Sequence, residues 1–300
     1  MEKVLIDQLQ PEMILARSIL LADGRIWIRQ KTEITSSIIT KLKELRLSSI
    51  YVETPMMEDL VNEPVCVATR SDLIQSLFKV DSELRLGKGI NLAGLKKQLY
   101  AMVDEVVGNY KNSQIINEIR VVNDYIFGHS VNVSVIAVKI GLHMGYNQLK
   151  LSELALGAIF HDIGMTKVSA EILGRIGGLS REELKEIESH PKVGYDLLKQ
   201  CPDFSAVSAH IAYQHHERYN GSGYPRKMSG TDIHEYARIT AIADVFDAMT
   251  TEKIYRHAKS VPETLKYIKD QKGIEFDPAI VAVLDKALTY ETIDSKQQAG

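Results

Sequence analysis

Five of the nine histidines stand beside other metal-ligating residue types or in close pairs: His129, His161 next to Asp162, His190, and the adjacent His215 and His216. Asp244 lies inside Ile242-Ala-Asp-Val-Phe-Asp247, an otherwise apolar run. A carboxylate on an apolar helix face is costly to bury unless it is paired or binds a cation. The same holds for His161-Asp162, which ends the run Leu154–Phe160. Imidazole and carboxylate together suit first-row divalent metals such as iron, manganese or zinc. Five imidazoles with two carboxylates exceed one tetrahedral site and fit two ions, with Asp162 as the bridge. Taken singly, each residue has a structural alternative: a hydrogen-bonded core histidine, a His-His pair in a polar loop, an Asp paired with Arg. His143, His210, His234 and His257 have no ligand neighbours and read as surface or core residues.

The elements that must position these groups are mainly helical. Leu151–Asp162 reads as an apolar helix followed by Gly164, and Ser180 with Glu183 forms a capping box that opens the next. Pro191 interrupts that helix just after His190, because the residue before proline is biased out of the α region. Asn220–Pro225 is a loop on turn chemistry. Ala237–Met249 and Pro262–Lys269 read as helices, and Asp277 with Pro278 starts one more. Ile115, Ile119, Val122 and Ile126 share a face at helical spacing. An all-α bundle over 113–290 follows.

Ahead of it, residues 1–57 read as a small α+β unit. Val4–Ile6 and Ile14–Leu21 are strand candidates, Asp23-Gly24 turns a hairpin into Ile26-Trp27-Ile28, Thr35 or Ser36 caps a helix to about Leu45, and Ile50–Val52 returns as a strand. Residues 58–112 read as a mostly helical bridge, with Leu95, Leu99, Met102, Val103, Val106 and Val107 on one face, and 291–300 as a polar tail. The fold class is therefore mainly α with a small α+β N-terminal domain.

Composition excludes several classes. At 45% hydrophobic and 25% charged residues the chain matches globular averages, not a disordered or disulfide-scaffold protein. A net charge of −3 gives no global case for nucleic acid or an anionic membrane. Cys66 and Cys201 form no CxxC motif and read as buried or idle thiols in a reducing compartment. No signal-type segment opens the chain and no run approaches about 18 uninterrupted apolar residues. A cytoplasmic protein without membrane insertion is expected.

The sequence resembles the HD-GYP branch of the HD superfamily of metal-dependent phosphohydrolases. The stretches that carry the resemblance are Asp124-Tyr-Ile-Phe-Gly-His129, His161-Asp-Ile-Gly164, Glu188-Ser-His190-Pro191, His215-His-Glu-Arg-Tyr-Asn-Gly-Ser-Gly-Tyr-Pro225, Ala243-Asp-Val-Phe-Asp-Ala-Met-Thr250, Tyr255-Arg256 and Phe276-Asp-Pro278, in the family's order. The resemblance implies a helical bundle that hydrolyses cyclic di-GMP to linear pGpG, with GMP as a further product left open. It assigns His129, His161, Asp162, His190, His215, His216 and Asp244 as metal ligands. Tyr125 stands where three-metal members carry Glu, which favours two divalent ions, iron or manganese. A metal-activated hydroxide attacking in line at phosphorus is the expected chemistry, with His161 and Asp162 at its centre.

The departure is Met165, where the family has Lys near the scissile phosphate. Lys167, two residues on, either swings back toward that phosphate or is a solvated loop lysine. Lys253 and Arg256 match the family's basic pair, with a surface helix end as the alternative. Gly223, Tyr224 and Pro225 are expected to wall the substrate pocket or dock a protein partner, and Gly221 and Gly223 to lend the loop flexible backbone. The N-terminal unit resembles a small domain that often precedes HD-GYP domains. Sensing, homodimerisation or partner docking are open for it, and Lys31, Lys41, Lys43 and Arg46 read as a solvated face. Two other functions stay open: a catalytically weak adaptor, and a phosphohydrolase for another cyclic dinucleotide.

Overall fold

The computed structural model describes residues 1–45, 47–53, 63–109, 125–173, 175, 177–251 and 258–288. Strand β1 (Glu2–Leu5) pairs antiparallel with β4 (Ser49–Val52), placing Val4 opposite Ile50. Strands β2 (Ile19–Leu20) and β3 (Ile26–Ile28) form the hairpin that Asp23-Gly24 turns, and Thr35 caps α1 (Ser36–Glu44) by accepting from the Ile38 amide. Leu15, Ile19, Ile34, Leu42 and Ile50 fill a core shared by these elements. The expected strand Ile14–Leu21 is shorter than predicted because the run changes partners. Leu15 faces Val52, whereas Ile19 faces Ile28. Between them Arg17 leaves the sheet to pair with Glu63 and lie over the Tyr51 ring.

The helices follow as α2 (Val67–Arg85), α3 (Ala93–Asn109), α4 (Tyr125–His143), α5 (Gln148–Ile159), α6 (Ala170–Leu173), α7 (Arg181–Glu188), α8 (His190–Lys199), α9 (Ala206–Gln214), α10 (Glu235–Thr250), α11 (Val261–Asp270), α12 (Pro278–Val281) and α13 (Leu284–Leu288). Most starts obey local chemistry. Ser180–Glu183 and Ser260–Glu263 form capping boxes, and Asp277 caps α12 ahead of Pro278. Pro191 falls in the first turn of α8, where its missing N–H costs no helical bond. The periodic residues Ile115, Ile119 and Val122 lie outside the described residues, as does the tail from 289.

Helix α4 is the centre of the bundle. One of its faces (Val131, Val135, Val138) packs with Leu151 and Ile159 of α5, and with Leu73 and Leu77 of α2 and Leu99 and Met102 of α3. Another (Val133, Ile136, Ile140) packs with Ile239, Ile242 and Phe246 of α10. Ile126–His143 is long and apolar enough to cross a membrane, but 83% of that window is buried by these neighbours. The segment read as a bridge thus puts α2 and α3 into the same apolar core as α4 and α5. Cys201 is buried, whereas Cys66 is exposed and its sulfur caps α2 at the Thr69 amide.

Leu99 is fully buried in this shared core. Leu99→Ala is expected to cost about 2–5 kcal/mol of global stability, read by chemical denaturation. A loss under about 1 kcal/mol would mean that α3 is a surface appendage.

Candidate metal centre

Three helix ends and the interiors of two further helices aim side chains at a single point. His161 and Asp162 lie just past the end of α5, His190 opens α8, His215 and His216 follow α9, and His129 and Asp244 project from α4 and α10. The break between α5 and the 3-10 turn Ile163–Lys167 turns Asp162 away from the apolar face that α5 buries. Gly164 lets α8 approach: a Cβ there would collide with the His190 carbonyl and lie 2.7 Å from the Gly194 nitrogen.

Two sets of donor atoms result. Asp162, His190, His215 and His216 form one and His129, His161 and Asp244 the other, with the atoms of each set within 4.8 Å of one another. Asp162 faces both. Its Oδ1 lies 3.2 Å from His190 Nε2 and 3.4 Å from His215 Nε2, while its Oδ2 lies 3.3 Å from His161 Nε2. Asp244 Oδ1 lies 3.1 Å from His129 Nε2. All seven residues expected to gather do so.

The imidazoles are held by their other nitrogens. His161 Nδ1 lies 2.8 Å from the Ala158 carbonyl oxygen, His190 Nδ1 2.6 Å from that of Ile187, and His215 Nδ1 3.0 Å from that of Ala212. A carbonyl can only accept, so each Nδ1 carries a proton, and in the neutral ring each Nε2 keeps its lone pair. Those lone pairs converge: His190 and His215 Nε2 are 3.3 Å apart. His161 Nε2 is buried without any hydrogen-bond partner. Orphaned lone pairs facing one another between two carboxylates fit a divalent cation, and the donor set is that of borderline metals.

Electrostatics agree. Burial disfavours charge on His129, yet Asp244 and Asp247 outweigh it and push the imidazole up to about 10. Burial likewise opposes the Asp162 carboxylate, but His161, His190 and His215 hold it well below the usual range. Burial and the neighbouring His215 keep His216 neutral. The carboxylates demand positive charge in the cage while part of the imidazole set stays unprotonated, as metal ligation requires.

Behind His129 runs a buried polar chain absent from the sequence reading. Asp247 Oδ2 lies 2.7 Å from His129 Nδ1, Asn132 donates to Asp247 Oδ1 at 2.6 Å, and Arg70 of α2 donates to Asn132 Oδ1 at 2.8 Å. Asp247 follows Asp244 by three residues, which puts both on one face of α10. That spacing was its one signal in the sequence. Arg70 and Asn132 carried none, because their link spans the fold.

The loop after α9 folds back onto the cage. The Tyr224 ring stacks on His216 with centroids 4.8 Å apart, and burial with the nearby carboxylates of Asp162, Glu188 and Asp244 raises its phenol. Glu217 is buried and accepts from the amides of Arg226 and Met228 at 2.7 and 3.0 Å, so the loop is pinned. Contrary to the expectation of flexible backbone, Gly223 serves close packing: a Cβ there would strike the His216–Arg218 backbone. Pro225 is exposed. Met165 lines a cleft beside Asp162, whereas Lys167 sends its ammonium to the Leu84 carbonyl of α2 at 3.5 Å. Positions two apart on a 3-10 turn point in different directions. Lys253 and Arg256 lie outside the described residues.

Asp247→Asn keeps the shape but weakens the acceptor that orients His129, and is expected to lower metal affinity about 10–100-fold in a chelator competition. Unchanged affinity would make Asp247 a packing residue. Gly164→Ala is expected to destabilise the fold by about 1–3 kcal/mol and to lower metal occupancy, measured by thermal melting and elemental analysis.

Comparison with known proteins agrees with this geometry. The sequence profile of the HD domain family matches residues 113–280. The chain is 36% identical over 153 residues to the cyclic di-GMP phosphodiesterase response regulator RpfG of Xanthomonas campestris pv. campestris, covering 51% of this chain and 40% of that protein. It is 28% identical over 211 residues to a cyclic di-GMP phosphodiesterase of Thermotoga maritima, covering 66% and 57%. It is 33% identical over 164 residues to the 3'3'-cGAMP-specific phosphodiesterase 3 of Vibrio cholerae, covering 55% and 35%. The chain thus spans between about a third and somewhat over half of these relatives' lengths. Among solved structures, Bd1817, an HDG"Y"P protein from Bdellovibrio bacteriovorus, shares the fold with a TM-score of 0.57 at 16% identity, covering 96% of this chain and 99% of that one. With the ligand-type residues converging and Gly223-Tyr224-Pro225 folded against them, this chain belongs to the HD domain family, in its HD-GYP branch.

Proposed function

We propose that this chain is a metal-dependent phosphodiesterase that opens cyclic di-GMP to linear pGpG and holds two divalent ions, iron or manganese. The observation that carries the reading is the two-sided Asp162 carboxylate, one oxygen toward His190 and His215 and the other toward His161. A bound pair of divalent ions supplies ionised water near neutral pH and neutralises the charge of the phosphodiester. The chain's own groups do the rest. Asp162 couples the two donor sets and sets their spacing. His129, His161, His190, His215, His216 and Asp244 complete the sets. Tyr224, stacked on His216 and kept protonated by burial, walls the cage with a neutral hydroxyl. Gly223 permits that wall to come close, and Pro225 presents an exposed tip for a protein partner. Lys253 and Arg256 follow Asp244 in sequence and are assigned to phosphate contact. Lys167 is assigned to supporting α2, from where a rotamer change would return it to the phosphate. The expected workplace is the cytoplasm, where a cyclic dinucleotide messenger is found, with the N-terminal unit left for partner docking or homodimerisation.

The names of the relatives support the substrate class: RpfG and the Thermotoga maritima protein are cyclic di-GMP phosphodiesterases. The cGAMP-specific relative keeps a second cyclic dinucleotide in play. Met165 in the cleft is what favours the catalytically weak adaptor as the alternative.

Protein purified anaerobically and loaded with iron or manganese is expected to turn over cyclic di-GMP. His161→Ala is expected to fall below about 1% of that rate, and chelation to abolish it reversibly. Binding without turnover would favour the adaptor, and turnover of cGAMP alone would reassign the substrate.

A further inference from the structure

The matched family profile begins at residue 113, yet the cleft beside the metal cage is partly built by residues well before it. This cleft of about 220 Å³ is lined by Asp162, Met165 and Thr166, and also by Phe78, Asp81 and Arg85 of α2. The three α2 residues stand at i, i+3 and i+7, so they share one face beside the buried stripe of Leu73, Leu77 and Leu84. Their chemistry is that of a nucleotide site. Phe78 is 40% exposed, with its ring set edge-to-face against Phe127 at 5.9 Å and 81°. An exposed aromatic in a cleft is a stacking platform for a base. Asp81, largely buried, holds Arg85 through Nε at 2.8 Å. Both terminal nitrogens of Arg85 are then left without a partner among the described residues. That planar pair matches two oxygens of one phosphate. Among the described lining residues Arg85 is the one cation, because Met165 is neutral and Lys167 reaches the Leu84 carbonyl instead.

We propose that this face of α2 is a substrate subsite, in which Arg85 binds the uncut phosphate of a cyclic dinucleotide and Phe78 stacks on one of its bases. The inference rests on the reading of the chain as a cyclic dinucleotide hydrolase. A cyclic dinucleotide carries two phosphates, and the cage beside Asp162 takes the one that is cut. The second phosphate needs a counter-charge elsewhere in the cleft, and Arg85 supplies it. Asp81 is a positioning residue that fixes the guanidinium.

The test uses the metal-loaded full chain and two substrates: cyclic di-GMP, and bis(p-nitrophenyl) phosphate, which has one phosphate and no base. Phe78→Ala and Arg85→Ala are each expected to raise KM for cyclic di-GMP at least about tenfold, with kcat changed little. Hydrolysis of bis(p-nitrophenyl) phosphate is expected to stay within about twofold of wild type, which also certifies the fold and the cage. Arg85→Lys is expected to recover part of the loss, as a point charge without the fork. If the wild type cuts cyclic di-GMP and both alanine variants keep its KM, the subsite is wrong and the hydrolase reading stands. If the wild type cuts the small diester but neither cuts nor binds cyclic di-GMP, the substrate reading and the subsite fall together. If it binds a fluorescent cyclic di-GMP without cutting it, and both variants lose that binding, the subsite stands and the hydrolase reading falls.

Discussion

The structure depends on one half-buried carboxylate that looks two ways. Asp162 sits between imidazole nitrogens that belong to different donor sets, and water is largely excluded from those imidazoles. A charge in that position is tolerable because opposite charge surrounds it. Burial raises the cost of every uncompensated group in the cage, so the same desolvation that makes the site expensive makes it selective for a cation. The carbonyls of Ala158, Ile187 and Ala212 then decide which nitrogen of each ring is available.

Helix termini make this arrangement possible. Most of the ligands lie where a helix begins or has just ended, and the carbonyls that hold their Nδ1 atoms come from the last turns of the preceding helices. Carbonyls in a last helical turn lose regular i to i+4 partners and keep room for a further donor, so the imidazoles help to satisfy the helix ends while being oriented by them. His129 lies within α4, and there Asp247 faces its Nδ1. Through Asn132 and Arg70 that support extends to α2, which also lines the cleft. The helix before the family's boundary is thereby tied to the site both as a buttress and as a wall.

Much of this was legible in the sequence, and for a specific reason. Metal-type ligands are rare residues with strong chemistry, so their clustering in apolar surroundings survives in one dimension, and local caps such as Ser180–Glu183 and Asp277-Pro278 are read within four residues. Groups whose meaning comes from tertiary contact were not legible. Asp247 is a second acid three residues after Asp244, and nothing in one dimension sets Arg70, Phe78 or Arg85 apart within the helical segment 58–112. The placement of Lys167 depended on the pitch of a 3-10 turn, and the truncation of Ile14–Leu21 on a change of strand partner. The glycines of the Gly223-Tyr224-Pro225 loop suggested looseness, whereas the buried Glu217 fastens it.

The central claim is that Asp162 joins two cation sites in one cage. Crystals of the manganese-loaded protein, measured at an energy where manganese scatters anomalously, test it directly. The account predicts two anomalous peaks per chain, about 3.5–4 Å apart, with Asp162 contributing one oxygen to each. A single peak, or peaks that leave Asp162 uncoordinated, would contradict it.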